Sequence, residues 1–420
     1  MAMGACAQNG PDDFGLPERG SATRSRTGDT WRLDKPNAGL AASLLRLTEP
    51  RSCQNHASRN LKTHYGKLSL LPALLGLALG VAGFSSRAAD AFPLPATTAS
   101  ARVVIAEGDH LLRAYLPDEA RVAAVFNRGL TQFTRTATVA DAWRSLVATN
   151  DTVGIKVFST PGPLSGTRPA VVAAIVRGLR AAGLPPDQIV IWDKHAADLR
   201  AAGFFRLGET LGVRVAGAAE AGFDTNTFYL PDSPVIGSLV WGDVEFGSTN
   251  RTLGKKSFVS KLVSQQLTRI ISVAPLLNEN AAGACGHLFS LALGSVDNTR
   301  RFEGDTDRLS VALPEIDALP VVGDRVVLHV TDALLGQYQG GPAGYLQYSF
   351  KPEQVWFSRD PVALDVLALK ELARERAAAG VPPLKTGFEI YSKAALLQLG
   401  IEDPAKIQVE RIPRQPRPAE

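Results

Sequence analysis

Cysteine, methionine and net charge are all scarce in this chain, and each scarcity removes a class of function. Its 420 residues include three cysteines, at positions 6, 53 and 285, and no Cys-x-x-Cys pair. That excludes zinc ribbons and cysteine-ligated iron–sulfur clusters, and the single Cys285 of the body leaves no internal disulfide there. The phosphate loops G-x-x-x-x-G-K-[ST] and G-x-G-x-x-G are also absent. Residues 1–91 carry 11 Lys/Arg against 7 Asp/Glu, which leaves 34 of each for residues 92–420. The body is formally neutral, so a nucleic-acid partner, which needs a basic face, loses its main support and is not expected. With 45% hydrophobic and 20% charged residues the chain is globular, with material for a large core.

The charge surplus belongs to a leader. "KLSLLPALLGLALGVAGF" (67–84) is an apolar run preceded by Lys62 and Lys67 and followed by "SSRAADA", with an Ala89-Asp90-Ala91 cleavage pattern. Residues 61–91 read as a bacterial-type signal peptide, so the protein is expected to be exported, periplasmic or extracellular. The run is short for a spanning helix and holds Pro72, Gly76, Gly80 and Gly83, so no stable membrane anchor is expected after cleavage. Residues 1–60 show no sustained apolar period and read as disordered. Met1 and Met3 are the only methionines. The segment is either a native extension or sequence upstream of a true start near Leu61.

From residue 101 onward, short β-branched runs alternate with helical stretches. "ARVVIAEG" (101–108), "TVGIKV" (152–157), "QIVIWD" (188–193), "RIISVAPL" (269–276), "RVVLHVTD" (325–332) and "QVWFS" (354–358) read as strands. "TVADAWRSLVA" (138–148) and "RPAVVAAIVRGLRAAG" (168–183) read as helices, and helices at about 361–379 and 388–399 close the chain. The pattern predicts an α/β fold: a mostly parallel open sheet with helices on both faces and right-handed crossovers. An irregular or β insertion is expected around 217–258, where "LVWGDVEF" could form a strand. No repeat or long linker divides residues 92–420, which read as one domain of a size that permits lobes.

Ligands of open parallel sheets bind beyond the carboxyl ends of the strands. Those ends carry Lys156, Asp193 with His195, Asn278, Asp332 and Asp360. Strands also end where polarity begins, so each residue alone is ambiguous. Lys156 stands out because Val157 and Phe158 follow it inside the run. The loop "FSTPGPLSGTRPAVV" brings Arg168 to a helix start and could cradle an anion. In "SVDNTRR" (295–301), Asp297, Asn298 and Arg300 suit bidentate recognition of an anion, or equally a salt-bridged helix cap. Cys285 and His287, two apart, do not form a nucleophile pair on one helix face. His195 reads as structural.

In this order the motifs are recognisable. "VGIKV", "RPAVVAAIVRGLRAAG", "IVIWD", "RIISVAPL", "SVDNTRR", "TDALLGQYQGGP" and "SRDPVALDVLAL" together resemble the uncharacterised domain-of-unknown-function family 362, over roughly residues 150–370. The Asp-Pro-x-Ala-x-Asp pattern of Asp360 and Asp365 is the most specific element. The resemblance implies an α/β fold and brings no established activity. The chain departs from it at "LLNEN" and "HLFSLALG", where relatives often carry lysines, a histidine and a Lys-Asn pair. Lys156 also lacks the following Pro-Asn. The Cys-rich segments of some relatives are missing, which argues against electron transfer.

Two functions stay open. One is an exported enzyme acting on a small polar or anionic substrate, with Lys156, Arg168, Asn278, Asp297, Asn298 and Arg300 as binding residues. Asp365, Asp193 or Asp332 would then be the acid/base or a metal ligand. The other is an exported solute- or partner-binding protein using the same cleft. The sequence identifies neither a cofactor nor a complete set of metal ligands. Asp365 is the sharpest anomaly. It lies in "DPVALDVLAL", a helix apolar on every side, where a carboxylate needs a partner. Its expected donor is Lys156 or a backbone N–H of the 295–301 loop.

Overall fold

The computed structural model describes residues 100–231, 256–384 and 388–414. The leader, its cleavage pattern and "LVWGDVEF" lie outside the described residues. Strands β1 (Ala101–Glu107), β2 (Val153–Val157), β3 (Ile189–Asp193), β4 (Arg214–Gly217), β5 (Arg269–Glu279), β6 (Val326–Gln337), β7 (Gln354–Ser358) and β8 (Ile407–Ile412) line up in the order β8-β1-β7-β6-β5-β2-β3-β4. Two short strands add to the same sheet. The run from β6 to β4 is parallel throughout. β7 is antiparallel to both its neighbours, and β8 lies parallel to β1 at the edge. The expected α/β fold with a mostly parallel sheet is present. β8 is an addition: a strand, rather than the expected helices, ends the described chain.

The alternation of side chains explains why both faces are covered. Val153, Ile155, Val157, Ile189, Ile191, Leu328 and Val330 point to one face. There they meet helices α1 (Glu119–Thr134) and α2 (Pro169–Ala181), the latter apolar around most of its circumference. On the other face Val190, Trp192 and Ile270 meet α3 (His287–Ser295), α4 (Thr306–Asp317) and α6 (Phe388–Leu396). Further along that face, Val103, Ile105 and Trp356 pack against α5 (Pro361–Ala378). Burial of period-two apolar stripes on both sides of a parallel sheet is the driving force for this layering. The insertion contributes Phe223–Tyr229 and Ser257–Ser260, which pair antiparallel as a separate two-stranded sheet.

α5 begins as its sequence indicates. Asp360 is the N-cap, accepting from Ala363 N at 2.8 Å, with Pro361 in the first turn. The second Asp360 oxygen accepts from Ile401 N at 2.8 Å and ties the chain beyond α6 to the same helix end.

One topological fact positions the site. From β2 the chain moves outward to β3 and β4, then returns to place β5 and β6 on the other side of β2. The strand order therefore reverses between β2 and β5. Loops leaving the two strands diverge there and open a crevice.

Candidate functional site

A cleft of about 710 Å³ lies at that reversal. Its walls come from the segments after β2 (Phe158, Thr160) and β3 (Asp193 to His195, Asp198), from Glu279 at the end of β5, and from α3 and residues 297–303.

The floor is a buried ion pair. Lys156 is fully buried and its Nζ makes three hydrogen bonds: to Asp193 Oδ1 at 2.9 Å, Ser290 Oγ at 3.0 Å and the Val157 carbonyl at 2.7 Å. Trp192 offers its ring face 5.6 Å from the same nitrogen. An ammonium has three donors, so none is left over. Asp193 is equally occupied. Oδ1 also accepts from Lys194 N at 2.8 Å, while Oδ2 accepts from Ser159 N at 2.7 Å and Ser159 Oγ at 2.6 Å. The glycine at 294 permits this floor, because a Cβ there would run into Lys156 Cε.

Lys156 belongs to a longer row. Trp192, Lys156, Ser272, His329 and Ser358 lie in register across five adjacent strands. α3 covers the middle of the row with polar side chains of its own. His287 Nδ1 pairs with Ser272 Oγ at 2.9 Å, and Nε2 with Thr331 Oγ1 at 3.1 Å. The two imidazoles meet edge to face, with ring centres 4.9 Å apart. Burial lowers the pKa of both, His329 to about 3, and His329 adds to the fall at His287.

Asp365 stands behind α3. Its Oδ1 accepts from His287 N at 2.7 Å and its Oδ2 from Leu288 N at 3.1 Å. The carboxylate of one helix thus serves as the N-terminal cap of another, where N–H groups lack partners and the helix dipole favours negative charge. A Cβ at Gly286 would collide with that carboxyl group. The expected donor from another element is present, but at the start of α3 rather than at Lys156 or the 295–301 loop. Burial raises the Asp365 pKa to about 7, and the two N–H bonds only partly counter it.

The structure separates the remaining candidates. Arg168 and Asp332 form a second buried pair: NH1 to Oδ1 at 2.9 Å and the Arg168 backbone N to Oδ2 at 2.8 Å. Neither lines the cleft, so the loop after β2 directs its arginine inward. Asn278 is buried and holds Gly341 N at 3.0 Å. Asp193, Asp297, Asn298 and Arg300 do line the cleft, together with Lys194, Asp198, Glu279 and Glu303. Lys194 Nζ donates to Thr299 Oγ1 at 2.7 Å and braces the 297–299 loop.

Glu279 is the residue that strand-end reading passed over. It is 9% exposed, and its Oε2 accepts from Ala281 N at 2.7 Å and from Ala282 N. Burial raises its pKa, the three adjacent N–H groups oppose the rise, and the negative charge of Glu303 adds to it. A signal existed in the sequence: Glu279 follows Asn278 directly at the end of a long apolar strand. Among the described residues, no group of three or more His, Cys, Asp or Glu side chains is placed to hold a metal ion. No helix among them is long and apolar enough to cross a membrane.

No protein-family model matches the chain, and no curated protein is similar to it. A solved protein from Thermotoga maritima aligns with 64% of this chain and 61% of its own length, at 11% identity and a TM-score of 0.34. A likeness that slight carries no argument about chemistry.

Proposed function

We propose that the protein is an exported enzyme acting on a small polar molecule held in the cleft between β2 and β5. The observation that supports this reading is Glu279: a mostly buried carboxylate in a polar cleft at the strand-order reversal, with its pKa raised. A carboxyl group whose pKa is raised above the ordinary glutamate value is moved in the direction that general acid/base work requires. Its Oε2 is held by two backbone N–H groups, which fix its aim. Asp193, Asp332 and Asp365 then position the surrounding walls, because their oxygens already serve internal donors. Export rests on residues 61–91 and the family 362 resemblance on the quoted motifs. Neither supplies the chemistry.

The occupancy of those three carboxylates favours a second reading, a binding protein without turnover. Incubation of the mature protein with a small-metabolite extract, followed by mass spectrometry of the bound and free fractions, separates the two. The enzyme reading expects one component to be consumed by the wild type, and to be retained unconsumed by Glu279→Gln. Retention without consumption by the wild type establishes the binding protein. Absence of both retention and consumption removes the cleft from consideration.

A further inference from the structure

We infer that Asp317 makes the packing of α4 on α3 sensitive to pH: loss of the proton from this one carboxyl group loosens the two helices, and α3 is a wall of the cleft.

Asp317 is the last residue of α4 and is only 4% exposed. Leu309, Leu313 and Ile316 of the same helix share one apolar cluster with Leu288 and Leu291 of α3 and Tyr391 of α6. Asp317 Oδ1 is buried there and meets no hydrogen-bond donor among the described residues. No basic residue lies in the last turn of α4, and the carbonyl end of a helix disfavours a negative charge. A carboxylate in that place is costly, whereas a carboxylic acid is tolerated.

Neighbouring charges do not relieve it. Burial raises the Asp317 pKa well above 3.8; the Asp365 charge adds to the rise and the Lys156 charge opposes it. Lys156 is already committed to Asp193. On α3, His287 is engaged by Ser272 and Thr331. On α6, the Tyr391 hydroxyl donates to the Ala282 carbonyl at 3.1 Å, and Lys393 Nζ donates to Glu389 and to Ser310, nearer the middle of α4. Arg325, past the turn that follows α4, donates to the Val263 and Leu267 carbonyls. The short helix holding Arg300, Arg301 and Glu303 precedes α4 and so lies at its other end, about 18 Å away along a helix of 12 residues.

A carboxyl group whose pKa is raised by folding stabilises fully below its unfolded value, and that stability is lost as pH climbs toward the folded value. An open form in which Asp317 reaches water therefore gains up to about tenfold in population per pH unit over that window, which starts near 3.8. The helix released with it supplies Phe289, Ser290, Leu293 and Gly294 to the cleft.

The chain carries its own reporter. Cys285 is buried in the same cluster, directly before the Gly286 cap of α3, and is the single thiol after residue 91. The mature protein and Asp317→Asn are labelled with a dithiodipyridine from pH 5 to pH 8, each rate divided by that of free cysteine at the same pH. The ratio of wild-type to variant rates is expected to climb at least about tenfold across this range. A fixed hydrogen-bonding cost of the asparagine offsets the ratio without changing its slope, and Asp317→Ala gives the same comparison should the asparagine variant fail to fold. A flat ratio overturns the inference. Labelling no faster than global unfolding in urea allows also overturns it, because the two helices then never part on their own.

Discussion

Asp365→Asn separates the two contributions that meet at the start of α3. The carboxylate satisfies two N–H groups, and it is also a charge buried among apolar neighbours. Its pKa rises from 3.8 to about 7 on folding, so the folded protein holds the proton more tightly than the unfolded chain. Stability from this group is therefore complete below the unfolded value and is lost as pH rises toward 7. With those two values the wild type forfeits roughly 2–3 kcal/mol between pH 5 and pH 8 from this residue alone. Asparagine does not titrate. It keeps one acceptor and faces the other N–H with its NH₂, at a pH-independent cost of about 1–3 kcal/mol. Urea unfolding of both proteins at several pH values should show the variant less stable at pH 5, with the gap narrowing or reversing by pH 8. Comparing the two proteins at each pH cancels groups that do not feel the Asp365 charge, such as His329, but not Asp317, whose pKa that charge also raises. A difference that stays constant from pH 5 to pH 8 refutes the reasoning.

Two further outcomes follow from the same structure. Lys156→Met strands the Asp193 carboxylate and is expected to destabilise by about 3–5 kcal/mol, with part of the loss recovered by adding Asp193→Asn; a loss under about 1 kcal/mol in urea unfolding would place the pair with exposed ion pairs. N-terminal sequencing of exported material should begin at Ala89, Asp90 or Phe92, and finding residues 1–60 intact would end the signal-peptide proposal.

Strands were legible wherever apolar residues dominated a short run, as at 153–157, 189–193 and 269–276, because a strand buried on both faces needs such a run. β8 was not. "IQVERI" sits on the sheet edge with most side chains wet, so its pattern resembles any surface segment. Helix α4 carries Pro314 inside it, which reads as a break in one dimension. For the site, strand ends located the cleft but could not say which way each side chain points. Lys156 and Arg168 were drawn into the interior by partners 37 and 164 residues away, a pairing no local pattern contains. Asp365 shows what can be inferred. A carboxylate inside an apolar helix demands a donor, and only the donor's address was missing.

β1 has a consequence for how the molecule is made. It is the first strand of the described chain, yet both its partners are among the last: β7 begins at Gln354 and β8 at Ile407. During synthesis or transfer across a membrane, this segment emerges roughly 250 residues before a strand that can pair with it. Closing so long a loop is slow compared with assembling the neighbouring parallel strands β2 to β6. The parallel half with its cleft can thus form as an early nucleus, while β1 stays unpaired until β7 and β8 have been made. Those two late strands are then what bring the first strand into the sheet.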